Sequence, residues 1–198
     1  MGTRGAWGFR VDGQDKLTYN HFDSYPDGLG RSLLEQLGKR REARSSDWIE
    51  NLKTQVRKLR IVHETDDEPS DADRDNLQEF CDPRVGSGGS GWYSLLRHTQ
   101  GDMELTLRSG VMIDHNNFML DSLFCEYAYV INLDESTIEM YKGFQTKPHT
   151  DGRYASNTPH EDRKSAEYYP VKLMATFPLT DIPHDWMDKV DPPEDDES

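Results

Sequence analysis

Five residues near the start of the chain carry side-chain groups from which many active sites are built. A hydroxyl, a guanidinium, an amide, an imidazole and a carboxylate come from Thr3, Arg4, Asn20, His21 and Asp23. Chain termini are usually frayed and chemically plain. A terminus with this density of functional groups therefore predicts a binding or catalytic site.

The imidazole and the carboxylate of this group have two interpretations. Side chains alternate along a strand, so His21 and Asp23 share one face. They could act as a general base and the group that orients it. Equally, Asn20, His21 and Asp23 could form a buried hydrogen-bond network that fixes the turn at Tyr25 and Pro26.

A hairpin is the element that would position these residues. Residues 3–12 alternate as a strand, the Asp12-Gly13 pair is a strong hairpin turn, and residues 16–22 form the return strand. Pro26 and two glycines stop the second strand, so residues 24–30 form a turn that leaves the hairpin.

The rest of the chain mixes helices with antiparallel strands. Apolar spacing and capping residues predict helices over 31–44 and 48–59, the second capped by residues 45–47, and a shorter one over 72–81. Strands are predicted over 124–133, 137–144 and 172–177, with a short strand pair at 105–107 and 111–114. This order favours an α+β layered sandwich, with one or two mostly antiparallel sheets faced by helices, over a parallel Rossmann-type sheet.

The charge is concentrated in two segments of a chain of 198 residues with a net charge of −14. Residues 64–82 carry a net charge of −8, residues 181–198 carry −7, and the remainder is +1. We therefore expect a single domain over 1–180, with an acidic and glycine-rich excursion at 64–91, and an acidic tail at 181–198. Charge runs of this kind are usually solvated, which argues against a nucleic-acid mimic or a nucleic-acid partner.

Composition also bounds the location and the cofactors. No run of eighteen apolar residues or signal peptide is present, and Cys81 and Cys125 form no close metal-type pair. We expect a cytoplasmic protein without membrane contact, cofactor or metal. His149 and Asp151 match part of a two-histidine, one-carboxylate iron site, although a solvated loop is the stronger interpretation. The 86–91 glycine loop lacks the Lys-Ser/Thr of a phosphate-binding loop, which favours a flexible connector.

Further candidates lie in the second hairpin and in the predicted helices. Glu126 and Tyr141 could face the same cleft as Tyr25, so these three are the expected ligand-binding residues; a solvated outer face is the alternative. Cys125 lies within a strand pattern, which favours a buried thiol over a nucleophile. The basic helices between 31 and 60 are explained by a charged outer face, or could dock the acidic loop or tail.

Three segments carry a resemblance to a known group of sequences. The Met-Gly-Thr-Arg-Gly start, residues 19–30 (YNHFDSYPDGLG) and residues 123–134 with 141–145 (LFCEYAYVINLD and YKGFQ) resemble a family of small uncharacterised proteins. Its members are encoded by bacteria, bacteriophages and fungi. The resemblance covers most of residues 1–180 and implies no established activity.

The start of the chain is also similar to N-terminal-nucleophile hydrolases. These enzymes use the first residue of the mature chain as nucleophile and its own α-amine as base, in a fold of two antiparallel sheets between helical layers. Gly2-Thr3 looks like the bond that some of them cut to free a threonine, and Arg4, Asn20 and Asp23 look like the surrounding polar residues. Here Met1 removal would leave Gly2 in front of Thr3.

Two functions are expected from these observations. In the first, the protein is an amide-bond hydrolase: Thr3 is the nucleophile, Arg4 clamps the substrate or oxyanion, and Asn20, His21 and Asp23 form the polar shell. In the second, it is a binding module without chemistry, such as a phage-type inhibitor of a host defence protein. Its partner would then be a small ligand or a loop of another protein.

Overall fold

A computed structural model describes residues 2–43, 46–65, 67–86, 91–157 and 168–190. The strands within these ranges are β1 Gly5–Val11, β2 Gln14–Asn20, β3 Arg60–Val62, β4 Val111–Ile113, β5 Tyr127–Asn132, β6 Thr137–Lys142 and β7 Lys172–Pro178. The α-helices of the same ranges are α1 Arg31–Ala43, α2 Trp48–Arg57, α3 Asp71–Asn76, α4 Trp92–Leu95, α5 Met103–Ser109 and α6 Trp186–Val190. A π-helical turn spans Pro26–Gly30, and 3₁₀ turns span Gln78–Phe80, Arg97–Thr99 and Asn116–Leu120. None of the helices within these ranges is long and apolar enough to cross a bilayer.

One five-stranded sheet organises the molecule, in the order β2-β1-β5-β6-β7. β1 and β5 are parallel, and the other three pairs are antiparallel. The predicted first hairpin is confirmed: Asp12 and Gly13 both have positive φ, 53° and 75°, as a tight hairpin turn requires. The predicted α+β layered architecture is likewise confirmed.

Helices cover one face of this sheet. Trp7 and Phe9 of β1 both lie on that face, where they pack beside Tyr129 and Ile131 of β5. All four side chains are fully buried. Leu33 of α1, Leu52 of α2 and Val190 of α6 complete the same core. Helix α6 lies within the segment predicted as an acidic tail, and its apolar residues attach that segment to the domain.

The opposite face is covered by loops. Ala6, Ala128 and Val130 form a small apolar core there with Cys125 and Tyr154. The outer edge of β2 is occupied by a side chain. The Asn116 amide accepts a hydrogen bond from Leu17 N (3.0 Å) and donates one to Asp15 O (3.0 Å), so a side chain replaces a neighbouring strand.

The short strand pair predicted at 105–107 and 111–114 is wrong in its first half. Residues 105–107 lie in α5, because Asp102 caps the helix by accepting a hydrogen bond from Leu105 N (2.9 Å) and Gly110 ends it at φ 69°. Val111–Ile113 is a strand, as predicted, but it pairs in parallel with β3.

Most of the charged residues of the helices bind within the molecule. Arg40 is buried against Glu104 and Gln55, and Arg57 pairs with Asp12. The acidic segment docks onto the domain as well, since Asp73 pairs with Arg60 and Glu79 with Arg108. Three of the basic side chains between residues 31 and 60, the possible docking face in the sequence, are occupied by these pairs.

Candidate functional site

Most of the residues singled out in the sequence meet at one end of the sheet. β1 and β5 begin there, whereas β2 and β6 end there. Thr3 and Arg4 precede β1, residues 20–25 close β2, and Glu126 precedes β5. We call this region the β1 end. The strand directions alone place five predicted site residues and two of the predicted ligand-binding residues together.

Asn20 builds the turn that closes the β1 end. Its buried amide donates hydrogen bonds to Ser24 Oγ (2.8 Å) and to the Phe22 carbonyl. Ser24 N in turn donates to Thr3 O (3.1 Å), and the Tyr129 hydroxyl donates to Ser24 O (3.0 Å). Asn20 therefore has the structural role that the sequence left open as one of two alternatives.

Thr3 and Asp23 are brought near each other by the backbone but not by their side chains. Thr3 is only 3 % exposed. Asp23 is exposed and has a φ of 53°, while its carbonyl accepts a hydrogen bond from Leu29 N (2.8 Å). Thr3 is therefore buried and Asp23 lies at the surface.

Two guanidinium groups at the β1 end lie against aromatic rings. Arg4 Cζ is 4.3 Å from the centre of the Phe124 ring, and its backbone N–H donates to Glu126 Oε1 (3.1 Å). Arg97 Cζ lies 5.6 Å from the Phe22 ring centre and 5.7 Å from that of Tyr93. Aromatic faces attract guanidinium ions and hold them in place without neutralising their charge.

Neither of these two guanidinium groups forms an ion pair with a described residue, although Arg97 does donate a hydrogen bond to the neutral amide of Gln100. Ion pairs are formed by Arg10, Arg40, Arg57, Arg60, Arg84, Arg108 and Arg153. Arg31 and Arg41 resemble Arg4 and Arg97 in forming no ion pair with a described residue; they bond Met187 Sδ and the Thr180 carbonyl. Arg4 and Arg97 differ from that pair because each lies against an aromatic ring at the β1 end.

His21 is oriented by a tyrosine and not by Asp23. The hydroxyl of Tyr19 is 2.8 Å from His21 Nδ1, and the imidazole meets the Phe22 ring edge-to-face at 4.1 Å. Burial lowers the pKa of His21, and the positive charges of Arg97 and Arg4 lower it further. The imidazole is therefore neutral at neutral pH. Tyr19 and His21 are two residues apart, so strand alternation could have indicated this pair.

Exposed aromatic side chains surround the same region. Among the described residues, the exposed large hydrophobic ones are Phe22 (52 %), Tyr25 (43 %) and Phe144 (50 %), and all three belong to segments at the β1 end. Phe144 has a φ of 56°, a strained value for a bulky residue. Its N–H donates to the carbonyl of buried Ser122 (2.7 Å), which holds the strained backbone.

Tyr141 is not brought to this group. It lies on the loop-covered face, buried, and its hydroxyl donates to Glu139 Oε2 (2.6 Å). Glu139 also accepts from Asn132 Nδ2 (2.7 Å) and pairs with Arg153, which bonds Asp15 as well. Burial and the Glu139 charge raise the pKa of Tyr141. This cluster is fully hydrogen-bonded and attaches the loop that carries Arg153 to the sheet.

The remaining motifs carry no site in the described residues. Cys125 is fully buried, and burial raises the pKa of its thiol, as the strand pattern predicted. No three histidine, cysteine, aspartate or glutamate residues of the described ranges are arranged to hold a metal ion, and this includes His149 and Asp151. Residues 87–90 of the glycine loop lie outside the described residues, and α4 after it has only four residues.

Comparison with known proteins adds no relative to this geometry. No protein-family model, curated protein or solved structure matches the chain.

Proposed function

We propose that this protein is a binding protein without chemistry at Thr3, and that its β1 end binds a small anion. The observation that carries this proposal is that Arg4 and Arg97 have no carboxylate partner among the described residues. Both guanidinium groups lack a carboxylate partner in the described part of the chain, both rest on aromatic rings, and both act on the same imidazole.

The physical reason is the cost of leaving such groups without a counter-charge. Both arginines are half-buried, and the positive charge of each lowers the pKa of His21. A half-buried cation without a charged partner is stabilised by an anion, which would form charge-assisted hydrogen bonds with it. The Phe124 and Phe22 rings attract the guanidinium groups without accepting their N–H hydrogen bonds as a carboxylate would.

His21 adds one more donor to this arrangement. In the tautomer in which Nδ1 accepts the Tyr19 hydroxyl proton, the neutral imidazole carries its proton on Nε2 and can donate it to an anion. The group is therefore a neutral donor beside two cations. Such a set suits an anion of one or two charges, and it contains no side chain placed to activate Thr3.

The amide-hydrolase function predicted from the sequence requires different features. It needs a free α-amine on Thr3 and room for a substrate carbonyl beside the hydroxyl. Thr3 is preceded by Met1-Gly2, so its α-amine is not free, and it is 3 % exposed, so its hydroxyl has little room for a substrate. Both requirements would be met only after the N-terminus had been cut and rearranged. This function stays a prediction, and the N-terminal mass described in the Discussion tests it.

Anion binding can be tested with inorganic phosphate and the full-length protein. Side-chain Nε–Hε resonances of arginine, followed by NMR during a phosphate titration, should shift saturably for Arg4 and Arg97. A hydrogen bond to a charged group contributes about 1.5–3 kcal/mol, so Arg97→Gln should weaken binding by roughly tenfold or more.

Arg84→Gln is the matched control, because Arg84 is exposed and its ion-pair partner among the described residues is the neighbouring Asp82. It should leave the phosphate affinity unchanged. Shifts that do not saturate, or an equal loss in both variants, would show that the β1 end is not an anion site.

A further inference from the structure

We propose that the anionic ligand of the β1 end is a free mononucleotide, with its base stacked on Phe22 and its phosphate bound by Arg97. This inference rests on the proposed anion-binding function and assigns the ligand class. It draws on three further observations: an exposed ring beside a cation, the packing that fixes that ring, and the distribution of charge over the chain.

The Phe22 ring is open to solvent and yet held in position. It is 52 % exposed, which is unusual for a phenylalanine beside a packed sheet. The His21 ring contacts it edge-to-face, and a side chain at Gly2 would lie 2.4 Å from Phe22 Cδ1. The absence of a side chain at position 2 therefore leaves the space that the ring occupies, and its remaining surface can stack with a planar group.

A cation lies within a short distance of this open ring. Arg97 Cζ is 5.6 Å from the ring centre. In a mononucleotide the base and the phosphate are joined by a single ribose, so a stacked base places its phosphate close to the edge of the ring that supports it. The pairing of aromatic stacking with a neighbouring guanidinium is the combination by which proteins bind nucleotide units.

The overall charge favours a free nucleotide over a nucleic acid strand. Proteins that bind strands neutralise several phosphates along a basic groove. Here the described residues at this site offer two arginines without carboxylate partners, and the chain as a whole carries −14. A long polyanion would be repelled by the acidic segments, whereas one phosphate needs only the local charge.

The test is a calorimetric titration of the full-length protein with four probes: AMP, adenosine, ribose 5-phosphate and a ten-nucleotide oligoadenylate. AMP should bind at least tenfold more tightly than adenosine, which lacks the phosphate, and than ribose 5-phosphate, which lacks the base. Oligoadenylate should bind no more tightly than AMP.

Three variants separate the two parts of the proposal. Phe22→Leu keeps an apolar side chain but removes the stacking surface, so it should weaken AMP roughly tenfold and leave ribose 5-phosphate unchanged. Arg97→Gln should weaken both ligands. Phe144→Leu, which alters a second exposed phenylalanine at the β1 end, should change neither.

The possible failures are distinguishable. Equal affinity for AMP and ribose 5-phosphate would overturn the nucleotide assignment and leave anion binding standing. Tighter binding of the oligonucleotide than of AMP would replace the free nucleotide with a strand. If neither AMP nor ribose 5-phosphate bound, the nucleotide assignment and the proposed function would fail together.

Discussion

Replacing Glu139 with alanine tests whether the polar cluster on the loop-covered face stabilises the fold. The Glu139 side chain is 8 % exposed and receives hydrogen bonds from Asn132 and Tyr141 in addition to its ion pair with Arg153. Removing one partner of a buried pair costs about 3–5 kcal/mol, because the other charge stays buried. Arg153 keeps Asp15 as a partner and is 26 % exposed, so we expect the lower value, about 3 kcal/mol.

The assay is urea unfolding of Glu139→Ala, followed by far-UV circular dichroism, with thermal unfolding as a second measure. A loss of about 3 kcal/mol corresponds to a fall in Tm of roughly 6–12 °C for a chain of this size. Amide hydrogen exchange at 151–157 should accelerate, because the loop loses one of its attachments to the sheet.

Glu79→Ala is the control for this prediction. It removes the same side chain from an ion pair with Arg108 in which both partners are 59 % exposed. Exposed pairs contribute little, so the unfolding midpoint should not move. If the two glutamate variants unfolded at the same urea concentration, the cluster would have no special role in stability.

Three other perturbations have defined outcomes. Burial lowers the pKa of His115, whose Nδ1 accepts the Tyr19 N–H (3.2 Å), so the unfolded chain binds a proton more readily. Stability should therefore fall as the pH drops below about 6.5, and His115→Gln should flatten that slope in urea midpoints between pH 7.5 and 5.5. Asn116→Ala removes both amide bonds at the β2 edge and should cost about 2 kcal/mol, measured by urea unfolding, with increased self-association in light scattering. The intact mass of the native-start protein and of Thr3→Ala should begin at Met1 or Gly2 in both; a wild type that alone begins at Thr3 would restore the hydrolase mechanism.

Local signals explain which elements could be predicted. The Asp12-Gly13 turn and the alternation from Tyr127 onwards depend on nearby residues, so both hairpins followed from the sequence. The short apolar run at 105–107 predicts a strand, but the residues that flank it are the stronger signal. Asp102 and Gly110 are a helix start and a helix stop, and together they outweigh a three-residue pattern.

The candidate site was predictable in position but not in chemistry. Strand order brings Thr3, Arg4 and residues 20–25 together once the hairpin is recognised. Arg97, by contrast, reaches Phe22 from a turn more than seventy positions further along the chain, through packing that no local pattern encodes. Tyr141 is a second example. Strand alternation assigns its side chain to one face of the sheet, but does not predict that it bonds Glu139 there.

The closed edge of β2 limits how copies of this protein can associate. A sheet extends indefinitely only when both of its outer strands accept a new neighbour. Here the Asn116 amide and the His115 backbone N–H occupy backbone groups of Asp15 and Leu17 on β2. On β7, at the opposite edge, Leu173 N donates to Asp151 O (3.3 Å). Both outer strands therefore use backbone hydrogen bonds on loop residues of the same molecule, which opposes growth of the sheet by strand addition.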